Sequence, residues 1–197
     1  MPSRKNGDPS FTHYKGVQKI ISGIELFAKE AKQSTLKRTV LISLTHGNAN
    51  LTYGHEEFNR DLLRIKDLYH IDIINIRRHL SAKAFWSICK DNRIAVLDQF
   101  GAINGMMGGV GRESCCFGRP VLTGTLNTND YHTRELCGES APIFTADNAQ
   151  DIANFTNQFA NLKTTELIKL NQKISKWALS KFDPEIAFNQ IIETLDL

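Results

Sequence analysis

Apolar positions along this chain alternate between two kinds of run, one spaced by threes and fours and the other short and continuous. Val17, Ile20, Ile21, Ile24, Phe27 and Ala28 follow the first spacing, which predicts an amphipathic helix opened by Gly16 and ending near Gln33. Residues 36–44 (LKRTVLISL), with β-branched Thr39, Val40 and Ile42 among apolar Leu36, Leu41 and Leu44, are read as a buried strand. The same alternation continues with a helix over 55–68, a strand over 71–76, a helix capped by Ser81 and reaching about Lys90, and a strand over 93–97. Ala84, Phe85 and Ile88 form the inward face of the Ser81 helix. A helix over 111–117 stops at Gly118, and a strand over 121–123 follows. A strand over 142–145 and helices over 149–159 and 164–179 complete the pattern, and Asp183, Pro184 and Glu185 open a closing helix. Helices alternating with short apolar strands predict a doubly wound α/β fold, a parallel sheet covered on both faces.

In such a fold ligands bind beyond the carboxyl ends of the strands. Four predicted loops share that rim, at 46–48, 77–80, 98–109 and 124–130, and bring His46, Arg77 and a dense run of glycines to it. The third loop is the most informative. Gly101, Gly105, Gly108, Gly109 and Gly111 allow close approach of the backbone to a ligand, and a helix start beyond them exposes unpaired N–H groups. This reads as an anion or phosphate cradle, with Glu113 placed to accept hydrogen bonds from hydroxyls of its occupant. Lys15 precedes the first helix, where a long cation can meet an anion held at that helix start.

Composition narrows the choice. The chain has 197 residues, enough for one domain with a sizeable core, which we read as spanning 1–197 with a loop at 1–12 and a crossing helix at 183–195. A net charge of +3, dispersed along the chain, is too small for a nucleic-acid footprint but compatible with a small phosphorylated ligand. No apolar run approaches the roughly 20 residues that span a bilayer, and the N-terminus has no signal-peptide core, so a cytoplasmic location is expected. Cys89, Cys115, Cys116 and Cys137 show no CxxC pair and read as reduced thiols. No histidine lies at a metal-ligand spacing, so no metal is assigned.

The run LDQFGAINGMMGGVGRESCCFGRPVLTG resembles the carboxyl-terminal, donor-binding half of GT-B glycosyltransferases of the family 4 kind, with their glycine loop and "EAMACGKPV" block. PSRKNGDPSFTHYKGVQKII is similar to the family's "PTR…KG" and following helix, and ISKWALSKFDPEIAFNQII to its terminal helices. The resemblance implies a Rossmann-like domain of a retaining hexosyltransferase, holding a UDP- or GDP-sugar and requiring no other cofactor. By position it implies that Arg4 and Lys15 meet the donor diphosphate and that Glu113, the second acid of the family's E-x7-E motif, holds the ribose. Lys15 and Glu113 are thereby the residues tied to catalysis. The first acid of the motif falls at Gly105, where this sequence departs from the pattern and backbone N–H groups take over. Asn104, Gly105, Met107, Gly108 and Gly109 lie where the family holds sugar and phosphates, and Arg77 lies where it holds the base.

The family's first strand would precede Pro2. The resemblance therefore implies one half of a split or truncated enzyme, with an acceptor-side domain on another chain that would carry any membrane-surface contact. The alternative is an inactive nucleotide-binding or protein-interaction module of the same descent.

Overall fold

The computed structural model describes residues 16–44, 55–76, 81–91, 93–98, 109–124, 142–182 and 185. The expected loop at 1–12, most of the four rim loops, and the closing helix beyond Glu185 lie outside the described residues. In chain order the elements are α1 (Val17–Glu30), α2 (Gln33–Leu36), β1 (Val40–Leu44), α3 (His55–Tyr69), β2 (Asp72–Ile76), α4 (Ala82–Cys89), β3 (Val96–Leu97), α5 (Gly109–Cys116), β4 (Val121–Gly124), β5 (Phe144–Ala146), α6 (Ala149–Ala160) and α7 (Thr164–Phe182). Helices and parallel strands alternate as the apolar pattern requires, and the fold is Rossmann-like α/β.

Local chemistry sets many of the element ends. Gly16 caps α1 in the left-handed conformation at φ 63°, Ser81 Oγ accepts from the Ala84 N–H at 3.2 Å, and Asn148 and Asp151 form a reciprocal capping box at the start of α6. Two expectations shift. Leu36 closes the short helix α2 rather than opening a strand, because a helical turn anchored on the Lys32 carbonyl takes up the first part of this segment. The strand expected over 93–97 is reduced to Val96–Leu97.

Among the described residues the strands form two sheets. β1 pairs β2 in parallel with Ile42 opposite Ile74, and β3, β4 and β5 form a second parallel sheet in that order. Adjacent residues of β4 point to opposite faces, as the two-residue strand period demands. Val121 packs with Cys115, Ile174, Trp177 and Ala178 of α5 and α7, while Leu122 packs with Ala146, Ile152 and Phe155 on the other face. This sheet is therefore covered on both sides.

Among the described residues, the β1–β2 sheet is covered on one. Leu41 and Ile73 face the core built by α1 and α3, but Val40, Ile42 and Ile74 are exposed to 48%, 40% and 52%, so the expectation of a strand buried on both faces fails here.

Helix α1 unites the two sheets. Ile21, Ile24 and Phe27 pack in a single cluster with Leu41 of β1, Ile73 of β2 and Leu97 of β3. Among the described residues, β1 and β3 each keep one side without a strand partner beneath that helix. On the other flank, α1 crosses α6 at Gly23, which lies against Ile152. An Arg64–Glu25 ion pair at 2.7 Å ties α3 to α1, and the guanidinium holds the Glu25 carboxyl below its usual range.

Candidate functional site

Helix α5 is where the sequence placed its most specific signal. The helix starts at Gly109, two residues ahead of expectation, so Gly109 leaves the loop and enters the helix. The first four N–H groups of any helix lack intrahelical partners. At α5 these belong to the backbone that follows the glycine-rich run. Glu113 is the fifth residue of α5 and is exposed. It therefore stands beyond the first turn, where the helix dipole fades, and attraction to the helix start alone does not account for it.

The helix ends in a Schellman motif. The Gly118 N–H donates to the Cys115 carbonyl at 2.8 Å and the Arg119 N–H to the Ser114 carbonyl at 2.9 Å, with Gly118 at φ 73°. Directly behind that turn lies Asn171 of α7, against which only a glycine fits. Cys115, Ile174, Trp177 and Ala178 bury the back of α5, so its exposed face is set by packing on the opposite one.

Helix α4 is locked to the same support. Arg119, itself buried, donates from Nη1 to the Asp91 carbonyl at 2.8 Å and from Nε to the Phe117 carbonyl at 2.7 Å, joining the end of α4 to the end of α5. The buried Cys89 Sγ sits 4.0 Å from Ser114 Oγ. Ser114 Oγ in turn donates to the Val110 carbonyl at 2.7 Å. Burial pushes the Cys115 thiol up to about 12 and raises Cys89 and Cys116 as well, so these thiols pack rather than react at neutral pH.

One polar contact joins the two exposed faces. The Trp86 indole N–H donates to Glu113 Oε2 at 3.1 Å. The apolar spacing of α4 assigns its inward face to Ala84, Phe85 and Ile88 and gives Trp86 no role. The signal that could have found it is a tryptophan on the solvated side of a short amphipathic helix.

Of the residues expected at the site, Glu113 and Gly109 are described, both on α5. Arg4, Lys15, His46, Arg77, Asn104, Gly105, Met107 and Gly108 lie outside the described residues. Lys15 immediately precedes Gly16, the cap of α1. Among the described residues no group of three or more His, Cys, Asp or Glu could hold a metal ion, and no helix is long and apolar enough to cross a membrane.

Comparison with solved structures places the fold. The N-terminal domain of trehalose-6-phosphate phosphatase from Candida albicans superposes with a TM-score of 0.61 at 15% identity, over 85% of this chain and 36% of that one. HepE from Anabaena superposes in its complex with UDP-glucose (TM-score 0.58, 19% identity) and in its complex with UDP and glucose (0.60, 17%). Each HepE match covers 93% of this chain and 45% of HepE. The shared feature is the Rossmann-like fold. This chain spans less than half the length of the structures it matches. No family model matches, and no curated protein is significantly similar in sequence.

Proposed function

We propose that residues 1–197 form one domain, the donor-binding part of a cytoplasmic retaining glycosyltransferase of the GT-B kind that holds a UDP- or GDP-sugar. The observation that carries this reading is Glu113, exposed on the helix that follows the glycine-rich run, in a fold shared with a UDP-glucose complex. A carboxylate accepts hydrogen bonds only, through about four lone-pair sites, which suits the paired hydroxyls of a ribose. The backbone N–H groups at and before the start of α5 suit the diphosphate.

In the reaction the sugar–phosphate bond breaks and negative charge builds on the departing diphosphate. Fixed cations and oriented N–H groups at that point stabilise the transition state more than the ground state, each donor being worth about 3 kcal/mol in a site closed to water. Lys15, Arg4 and the backbone from Gly105 to Gly111 fill that role in this reading, and Glu113 orients the nucleoside. His46, Arg77, Asn104 and Met107 line the remainder of the donor site.

The acceptor-side half belongs outside these residues, on another chain, together with any membrane-surface contact. The short span relative to the matched structures agrees with an acceptor-side half outside these residues.

The test is a calorimetric titration of UDP and GDP. Replacing Glu113 by alanine is expected to weaken the better-bound nucleotide about tenfold, the value of a hydrogen bond to a charged group, while the melting temperature stays unchanged. Equal affinity in the two proteins would sink the reading.

A second reading is favoured by Gly105, which stands where the first acid of the resembled motif would be. It makes the chain an inactive nucleotide-binding or protein-interaction module. Assays of donor hydrolysis and of sugar transfer separate the two. The enzyme reading expects slow hydrolysis by residues 1–197 and transfer only when the acceptor half is added; an inactive module turns over no nucleotide sugar under either condition, and transfer by this chain unaided would overturn the half-enzyme assignment.

A further inference from the structure

Both partners of the Trp86–Glu113 hydrogen bond are exposed, Trp86 to 42%. Either could satisfy its polar group with water, so the bond adds little to folding stability. What it does is choose an orientation. A glutamate on a solvated helix face samples several rotamers, and each must be given up when a ligand fixes one of them.

The indole is well placed to remove that freedom beforehand. Its helix is capped at Ser81 and joined to α5 through Cys89 beside Ser114 and through Arg119 bridging the ends of the two helices. The Trp86 ring also lies beside Phe117, with centroids 6.4 Å apart. An indole has one N–H and no acceptor, so it occupies one lone-pair site on Oε2 and leaves the rest of the carboxylate, including all of Oε1, open for other donors.

We infer that Trp86 is a positioning residue that holds the Glu113 carboxylate in the orientation that receives the ribose hydroxyls of a nucleoside diphosphate. The inference rests on the reading of Glu113 given above. It adds a second residue, from a different helix, to the nucleoside end of the site.

The experiment is calorimetry on the full chain with UDP, GDP and their 2′,3′-dideoxy counterparts, using wild type, Trp86→Phe, Trp86→Ala, Glu113→Ala and the Trp86→Phe/Glu113→Ala double variant. Phenylalanine keeps the ring and removes the N–H. Trp86→Phe is expected to weaken the better-bound nucleotide about fivefold, the equivalent of ordering one rotamer-rich side chain. It should leave the dideoxy nucleotide unaffected and add nothing once Glu113 is alanine.

A Trp86→Phe protein that binds like wild type overturns the inference, and so does an equal loss for both nucleotides. Loss in Trp86→Ala alone points to a ring wall instead and also overturns it. If Glu113→Ala itself binds UDP and GDP like wild type, the ribose reading falls first and takes the inference with it. If Glu113→Ala weakens binding and Trp86→Phe does not, only the inference falls.

Discussion

Gly118→Ala is expected to destabilise the protein by about 3 kcal/mol, which for a chain of this size lowers the melting temperature by about 10 °C. Two effects add. Gly118 sits at φ 73°, and a Cβ in the left-handed region costs about 1 kcal/mol. The same Cβ would lie 2.5 Å from the Asn171 carbonyl oxygen and 3.2 Å from Ser175 Cβ. The nearer contact is backbone in the middle of α7, so no rotamer change relieves it, and overpacking of that kind costs roughly 2 kcal/mol more.

The two helices must part where Cys115, Ile174, Trp177 and Ala178 meet, and α5 carries Glu113. Loss of nucleotide affinity should therefore accompany the loss of stability in Gly118→Ala. Thermal unfolding by circular dichroism checks the first part, and a melting temperature within 2 °C of wild type, outside the range the conformational cost alone would give, would refute the close approach.

Gly23→Ala should also destabilise, by about 2 kcal/mol, although the usual effect of this exchange within a helix is stabilising by about 1 kcal/mol. The sign turns on Ile152. A Cβ at position 23 would fall 2.5 Å from Ile152 Cβ and 2.6 Å from its Cγ2, and Ile152 is fully buried. A Cβ is fixed by its own backbone, so rotation about χ1 cannot move that atom aside. The Ala149 carbonyl oxygen, at 3.0 Å, closes the other direction.

Helices α1 and α6 must then separate, and α1 is the element that packs against both sheets. Urea titration checks the outcome. A midpoint above that of wild type would mean that helix propensity outweighs the crossing, and that α1 and α6 tolerate more spacing than their contacts indicate.

Much of the architecture was readable along the chain because it is written in short-range terms. The period of the apolar residues gives α1, α3 and α6, Ser81 gives the start of α4, and Gly118 gives the end of α5, each within a few residues. Where the reading shifted, two local signals competed over the same residues. The segment at 36–44 looks like one strand, yet the turn anchored on Lys32 takes Leu36 into α2 before β1 begins. At α5 the glycine at 109 suggests loop, but the helix takes it in, and Gly111 is buried in the same helix.

The candidate site divides in the same way. Glu113 stood out by its place after a glycine-rich run and inside a resembled motif, both properties of sequence. Trp86 did not, because nothing within α4 requires a tryptophan there. Its partner is 27 residues away on another helix, and the contact exists because Arg119 and the Cys89–Ser114 contact hold the two helices together.

By itself, then, the sequence determined the order and type of most elements, the Rossmann-like class, and an acid on the helix after a glycine-rich loop. These follow from spacing, caps and turns, which act over a few residues at a time. Only the tertiary structure decided that the described strands pair as two sheets, that Val40, Ile42 and Ile74 are exposed, that Gly23 and Gly118 are close-approach points, and that Trp86 reaches Glu113. Those features depend on distances between segments far apart in the chain, which packing sets and local pattern does not encode.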